Sequence, residues 1–109
     1  MKLLTRSEEL LLLTVWRLQE DAYAVPINEQ LKELTGIDYA FGALFVSLER
    51  MVKKGLLDSY LSESSPERGG KSKRMYKLTK YGMEELISIK KVQAAAWEDI
   101  DNLSLDNLS

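Results

Sequence analysis

Apolar residues recur every three or four positions along most of the chain, which predicts a mainly helical protein. Residues 10–18 are apolar at nearly every position, so this first helix must be covered on more than one face. We expect Ser7 to cap it. A short extended piece at residues 22–25 then leads to a second helix over 27–34, which ends at Gly36.

A third amphipathic helix follows, with Asp38 as its expected cap and Gly55 as its end. The positions predicted to face its core are Phe41, Leu44, Phe45, Leu48, Met51 and Val52. The chain then passes directly into a strand at 56–61 and returns in a second strand around 75–78. A polar tip at 64–72, rich in glycine and cations, separates the two strands.

The order helix, strand, basic tip, strand, helix is typical of a winged helix, a mostly α fold with a small β wing. Thr79 is expected to cap a last long helix whose apolar stripes exceed what its own domain can cover. Residues 1–78 are therefore predicted to form a winged-helix DNA-binding domain, residues 79–101 a C-terminal dimerisation helix, and residues 102–109 a flexible tail.

Composition excludes several functional classes. The 109 residues include no cysteine and no histidine, which removes thiolate chemistry, the commonest general base and the commonest metal ligand. No phosphate loop or metal-ligand spacing appears. We therefore predict no enzymatic activity, no metal and no cofactor. The short apolar runs predict neither a signal peptide nor a membrane span, and so a cytoplasmic protein.

Charge is unevenly distributed, although the net charge is only −2. Residues 38–83 carry nine basic and five acidic groups, a balance of +4, whereas the preceding and following segments carry −2 and −4. A basic centre between acidic ends suits a protein that presents one face to DNA. Ordinary solvated surface charge explains the same distribution.

Two groups of residues are candidates for DNA contact. The exposed start of the third helix would read the major groove, and it offers Tyr39, Ala40 and Ala43. The alanines provide only apolar contact, and Tyr39 is alternatively a half-buried ring that closes the preceding turn. The wing would contact phosphates through Arg68, Lys71, Lys73 and Arg74, which are alternatively an ordinary solvated hairpin tip.

A third group marks the expected seam between two subunits, where the first and last helices would meet. Its members are Trp16, Gln93, Trp97 and Ile100. Aromatic residues at such a seam can stack on a flat apolar effector. They also pack interfaces without any ligand, and this alternative stays open.

Residues 10–86 resemble the PadR family of bacterial transcriptional regulators. The helix-to-strand motif appears as Ala43-Leu-Phe45, Leu48-Glu-Arg-Met51 and Gly55-Leu-Leu57. The wing-and-return motif appears as Gly70-Lys-Ser-Lys-Arg-Met-Tyr76 followed by Leu78-Thr-Lys-Tyr-Gly82. The chain departs from the family pattern at three positions, where Ala43 replaces a threonine, Phe45 a tyrosine and Pro26 a polar residue.

The single helix after the wing is similar to the short-tailed branch of that family. The resemblance implies a homodimeric repressor that binds double-stranded DNA and is released by a small, planar, hydrophobic effector. The competing hypothesis is a winged-helix protein–protein interaction module without sequence-specific DNA binding. Alanines at the reading positions and the acidic pI favour that alternative.

Overall fold

The computed structural model describes residues 3–63, 72–100 and 103–108. Within them, the chain forms helices α1 (Arg6–Leu18), α2 (Ala24–Thr35), α3 (Phe41–Lys53) and α4 (Lys80–Trp97), and strands β1 (Leu57–Leu61) and β2 (Arg74–Leu78). The strands pair antiparallel, from Leu57 opposite Leu78 to Leu61 opposite Arg74. This confirms the predicted winged-helix architecture. The predicted wing tip lies almost entirely outside the described residues, and Arg68 and Lys71 lie there with it.

One hydrophobic core joins the first three helices to the wing strands and the start of α4. Its members are Leu11, Leu12, Val15, Ala22, Ile27, Leu31, Leu44, Leu48, Met51, Leu56, Leu57, Tyr76 and Leu86. The backbone N–H of Tyr76 donates to the carbonyl oxygen of Ala22 at 2.9 Å, which ties β2 to the connection between α1 and α2. The wing is therefore fixed to the helical body.

The start of α1 differs from the prediction, because Thr5 and not Ser7 caps it. The Glu8 N–H donates to Thr5 Oγ1 at 3.1 Å, and the Thr5 N–H donates to Glu8 Oε1 at 2.9 Å. This reciprocal capping box requires a glutamate or glutamine three residues after the cap. Thr5 has Glu8 at that distance, whereas Ser7 has Leu10.

Helix α2 begins at Ala24, so the predicted extended piece at 22–25 is wrong for residues 24 and 25, whereas Tyr23 before the helix has an extended backbone. Pro26 is the third helical residue, where an amide N–H would have no partner inside the helix and its loss costs nothing. Gly36 ends the helix as predicted, with a φ of 75°. Leu34 follows Ile27 and Leu31 on the apolar stripe of this helix, but its side chain is exposed.

Helix α3 also departs from its prediction at both the cap and the core. Ala40 occupies the N-cap position without a side-chain hydrogen bond. The Asp38 carboxylate instead accepts from the Asn28 amide at 3.5 Å and lies 3.9 Å from Lys32 Nζ. Phe41 and Phe45 were predicted to be buried, but about half of each is exposed. The buried face of α3 is therefore narrower than the apolar face predicted from its sequence.

Helix α4 starts as predicted, with Thr79 Oγ1 accepting from the Gly82 N–H at 3.0 Å. Gly82 has a packing role that the sequence did not indicate. A Cβ at this position would lie 2.2 Å from the backbone oxygen of Leu56, so the close approach of α4 to the chain before β1 requires glycine. The helix ends at Trp97, shorter than the predicted 101.

Candidate nucleic-acid interface

The outward face of α3 is apolar. Leu44, Leu48 and Met51 point into the core, and successive helical residues turn by about 100°. Gly42 and Val46 therefore lie on the opposite side, with Ala43 beside them, and all three are exposed. Ala40 and Ala43 are thus accessible, as the sequence predicted. Val46, which the sequence did not single out, is 56% exposed and has the largest side chain of these three residues.

Tyr39 lies in the turn before α3. Its ring is half-buried and packs against the hydrophobic core. This placement agrees with the alternative that the ring closes the turn after α2. A DNA contact through its hydroxyl stays a prediction.

The base of the wing carries two cations with defined partners. Lys73 Nζ lies 4.0 Å from the centroid of the Tyr23 ring, a cation–π contact between the residue that precedes β2 and the N-cap residue of α2. Arg74 Nη1 donates to Ser59 Oγ at 3.1 Å across the sheet. The sequence had no signal for the first contact, because its partners are 50 positions apart.

These cations and α3 border the same groove. It is lined by Tyr23, Ala24, Val25, Phe45, Leu48, Lys73, Arg74 and Tyr76. The first turn of α2, the flank of α3 and the base of the wing therefore form one continuous surface. A winged helix that binds DNA needs this arrangement, because helix and wing must meet the same duplex.

A polar contact fixes the wing relative to α3. The Tyr76 hydroxyl donates to Glu49 Oε2 at 3.1 Å. Burial of the ring and the adjacent Glu49 carboxylate raise the pKa of Tyr76 to about 12. The tyrosine hydroxyl therefore keeps its proton and its hydrogen bond at neutral pH. This residue belongs to the recognised wing motif, but its pairing with Glu49 was not predicted.

The distal half of α4 leaves the core. Trp97 is 56% exposed and Trp16, on α1, is 49% exposed. Ile100 is also exposed, as are Ile87 and Val92. The radius of gyration is 16.9 Å, whereas a compact chain of this length has about 13 Å. The elongated shape agrees with a helix that protrudes from its domain.

Gln93 is the exception among the predicted seam residues. Its amide nitrogen lies 3.1 and 2.9 Å from the two carboxylate oxygens of Glu9 on α1. Glu9 is buried, and Arg6 lies 3.3 Å from one of its oxygens. Gln93 therefore has a partner in its own chain, and this contact fastens α4 to α1.

A cavity of about 490 Å³ lies away from the predicted seam, between the start of α1, α3 and the start of α4. Leu10, Leu11, Leu44 and Met51 form part of its wall. At its edge Lys54 Nζ donates to Glu8. Burial alone would raise the pKa of Glu8, but the hydrogen bonds from Lys54 and Thr5 and the charge of Lys54 lower it.

The described residues contain neither a metal-ligand cluster nor a helix that could span a membrane. No group of three or more cysteine, aspartate or glutamate side chains is placed to hold a metal ion in residues 3–63, 72–100 and 103–108. Within the same ranges, no helix combines the length and the apolar character that crossing a membrane requires.

Residues 12–88 match the transcriptional regulator PadR-like family, which is about 70% of the chain. The chain belongs to this family. A PadR-like transcription factor from Bacteroides fragilis has a similar structure, with 26% identity, a TM-score of 0.71, and coverage of 90% of this chain and 89% of the other. The family is one of transcriptional regulators, so this PadR-like protein is a DNA-binding regulator at the level of its family.

Other solved structures share the fold at lower identity. A PadR-like regulator from Bacillus cereus is 24% identical, with a TM-score of 0.71 and coverage of 89% of both chains. A transcriptional regulator from Thermoplasma acidophilum is 20% identical, with a TM-score of 0.68 and coverage of 96% of this chain and all of the other. No curated protein matches the sequence.

Proposed function

We propose that the protein is a homodimeric repressor that binds a pseudo-palindromic operator in double-stranded DNA. The observation that carries this proposal is the shared surface of α3 and the wing base, where Phe45, Lys73 and Arg74 line one groove. Tyr39, Ala40 and Ala43 would approach the bases. Arg68, Lys71, Lys73 and Arg74 would contact phosphates.

The exposed apolar surface supports dimerisation. Trp16, Ile87, Val92, Trp97 and Ile100 are each between 45% and 56% exposed. Monomeric proteins rarely leave a large contiguous apolar patch in water. A second subunit related by a two-fold axis would cover the seam and place two reading heads about one helical turn of DNA apart.

The test of DNA binding is the salt dependence of affinity for selected duplexes, measured by fluorescence anisotropy. Each phosphate contact releases counterions, so affinity should fall steeply as salt rises. Replacing Lys73 and Arg74 by alanine should weaken binding to every sequence and reduce the salt slope by about 2 for each wing that contacts DNA. The control removes the same charge from α4, through Lys90→Ala and Lys91→Ala. Equal losses in the two variants would contradict the wing assignment.

The exposed apolar side chains Phe41, Phe45 and Val46 on α3 favour a second candidate, a protein-interaction module. Its binding would be nearly independent of salt, because apolar contacts are not screened by ions. The anisotropy measurement therefore separates the two functions. If no duplex binds even at low salt, the repressor proposal fails and the interaction module takes its place.

A small planar hydrophobic effector is part of the proposal. It would bind at the seam, where Trp16 and Trp97 of two subunits can enclose a flat ring. Such a ligand would release DNA if it bound one dimer geometry more tightly than the other. Titration with planar apolar compounds should change tryptophan fluorescence and lower DNA affinity together. If the response persists in Trp97→Ala, the effector does not bind against Trp97.

A further inference from the structure

The first two turns of α3 present no hydrogen-bonding side chain on their outward face. Residues 41–46 read Phe, Gly, Ala, Leu, Phe and Val, and only Leu44 among them is buried. Gly42 and Val46 lie opposite the buried side of the helix, with Ala43 adjacent. These two turns cannot form the bidentate contacts by which arginine reads guanine or asparagine reads adenine.

Thymine alone displays an apolar group in the major groove, its 5-methyl. A reading surface without donors or acceptors can distinguish bases there only by contact with that methyl. We propose that Ala43 and Val46 read thymine methyl groups, so that the half-site of this regulator is specified by the positions of its thymines. This inference rests on the proposed DNA-binding function and names the feature of DNA that the function uses.

The surroundings of this face favour DNA over an apolar protein partner. Arg50 and Lys53 are exposed on the later turns of α3, and Lys73 and Arg74 border the groove beside Phe45. In the major groove of DNA, thymine methyl groups lie on the floor and phosphates line the two edges. An apolar strip with cations on two sides matches this arrangement. An apolar protein surface would offer these cations no opposite charge.

Gly42 has a part in this geometry. A Cβ at this position would meet nothing within 4 Å, so glycine is not required by packing inside the protein. Glycine inside a helix costs stability relative to alanine. Its presence on the outward face, between Phe41 and Ala43, allows the backbone to come closer to the edges of the bases.

The experiment compares thymine with uracil, which differs only by the missing methyl. Duplexes are selected from random DNA with the full-length protein, and the tightest one is remade with deoxyuridine at each thymine in turn. We expect affinity to fall about fourfold for each contacted methyl group that is lost, and about 15-fold when both symmetric positions change. Uracil at thymines outside the half-sites is the matched control and should leave affinity unchanged.

Two variants connect the methyl effect to residues. Val46→Ala withdraws the larger apolar group, so the difference in affinity between thymine and uracil duplexes should fall at the thymines that Val46 contacts. Lys53→Ala removes a cation from the same helix and should weaken both duplexes equally, preserving their ratio. A thymine preference that Val46→Ala retains in full would overturn the role of Val46.

The failures of the two proposals are distinguishable. If uracil duplexes bind as tightly as thymine duplexes and binding still depends on salt, methyl reading is wrong and the DNA-binding function stands. If no duplex of either kind binds at low salt, the proposed function itself is wrong. A preference for thymine that falls in Val46→Ala supports both.

Discussion

The winged-helix body buries its apolar side chains, whereas the distal half of α4 leaves its apolar side chains exposed. In the body, the side chains of Leu12, Ile27 and Leu48 are completely buried, and those of Met51 and Leu56 nearly so. Beyond Leu86, α4 buries almost nothing, and the apolar residues Ile87, Val92 and Trp97 are about half exposed. The same chain therefore contains one region that covers its own apolar side chains and another region whose apolar side chains are left exposed.

This difference indicates which part of the molecule depends on association. The body has its own hydrophobic core, two helices with well-defined ends, and a wing that backbone hydrogen bonds hold in place. The distal part of α4 is fastened to it by the contact of Gln93 with Glu9. Substitutions in the body should therefore change the stability of the fold. Substitutions of the exposed apolar residues beyond Leu86 should change the state of association, whereas Gln93 contacts the body and belongs to the junction.

The largest effect is expected from Gly82→Ala, which attacks the body where α4 enters it. The new Cβ would lie 2.2 Å from the Leu56 backbone oxygen and 2.9 Å from Leu78 Cδ2, so backbone must move. We expect a loss of about 3 kcal/mol in the free energy of unfolding, at the upper end of overpacking costs. Urea denaturation at a fixed protomer concentration measures it.

Gly42→Ala is the matched control, because this glycine is also helical but its Cβ would meet nothing within 4 Å. It should stabilise the protein by up to about 1 kcal/mol through helix propensity. Equal effects of the two substitutions would show that the close approach at Gly82 is absent in solution.

The next effect concerns association. Trp97→Ala should weaken the dimer at least about 30-fold while the body stays folded, because a buried interface tryptophan contributes about 2 kcal/mol or more. Deletion from residue 93 onward should give a poorly soluble monomer or an aggregate. Sedimentation reports the mass and circular dichroism reports the fold. A stable monomer from the wild-type chain would mean that the exposed half of α4 is not a subunit interface.

The elements of the body were largely predictable from sequence, since their signals are local. Gly36 ends a helix in the left-handed region, and Thr79 caps α4 through a hydroxyl three residues from its partner. The capping residue of α1 was also predictable as Thr5 instead of Ser7, because Thr5 and Glu8 have the spacing of a capping box. Such signals act over one turn of helix and do not depend on the rest of the fold.

The candidate site was less predictable, because it depends on contacts between distant segments. Phe41 and Phe45 fit an apolar stripe, but the other elements cover only a narrow arc of α3 around Leu44 and Leu48. Hydrophobic periodicity identifies the apolar face of a helix, but it does not show how much of that face the rest of the protein buries. The stacking of Lys73 on Tyr23 and the bond from Tyr76 to Glu49 similarly appear only after the chain has folded.

A smaller effect is expected at the junction of the two regions. Gln93→Ala removes the donor to the buried Glu9 carboxylate, leaving Arg6 as its neighbour. We expect a loss of about 1–3 kcal/mol in the free energy of unfolding, the cost of an unsatisfied buried polar group. A double-mutant cycle with Glu9→Ala, which removes the acceptor, isolates the coupling. A coupling energy near zero would mean that α4 is not fastened to α1 at this point.

The smallest effect at neutral pH, and the most specific, is expected from Tyr76→Phe within the body. Its hydroxyl donates to a partly exposed Glu49, so the loss should be about 1 kcal/mol. The pKa of Tyr76 is raised from 10 to about 12, so its contribution is complete below pH 10 and is lost as pH rises through 12. Wild type should therefore be the more stable protein at pH 9, and the difference should shrink and then reverse as pH rises through about 12.

Glu49→Gln keeps a neutral acceptor and removes the charge, so the loss of stability at alkaline pH should be smaller in this variant. Urea denaturation across this pH range, with tyrosinate absorbance as the direct readout, checks the prediction, and a difference independent of pH would contradict it.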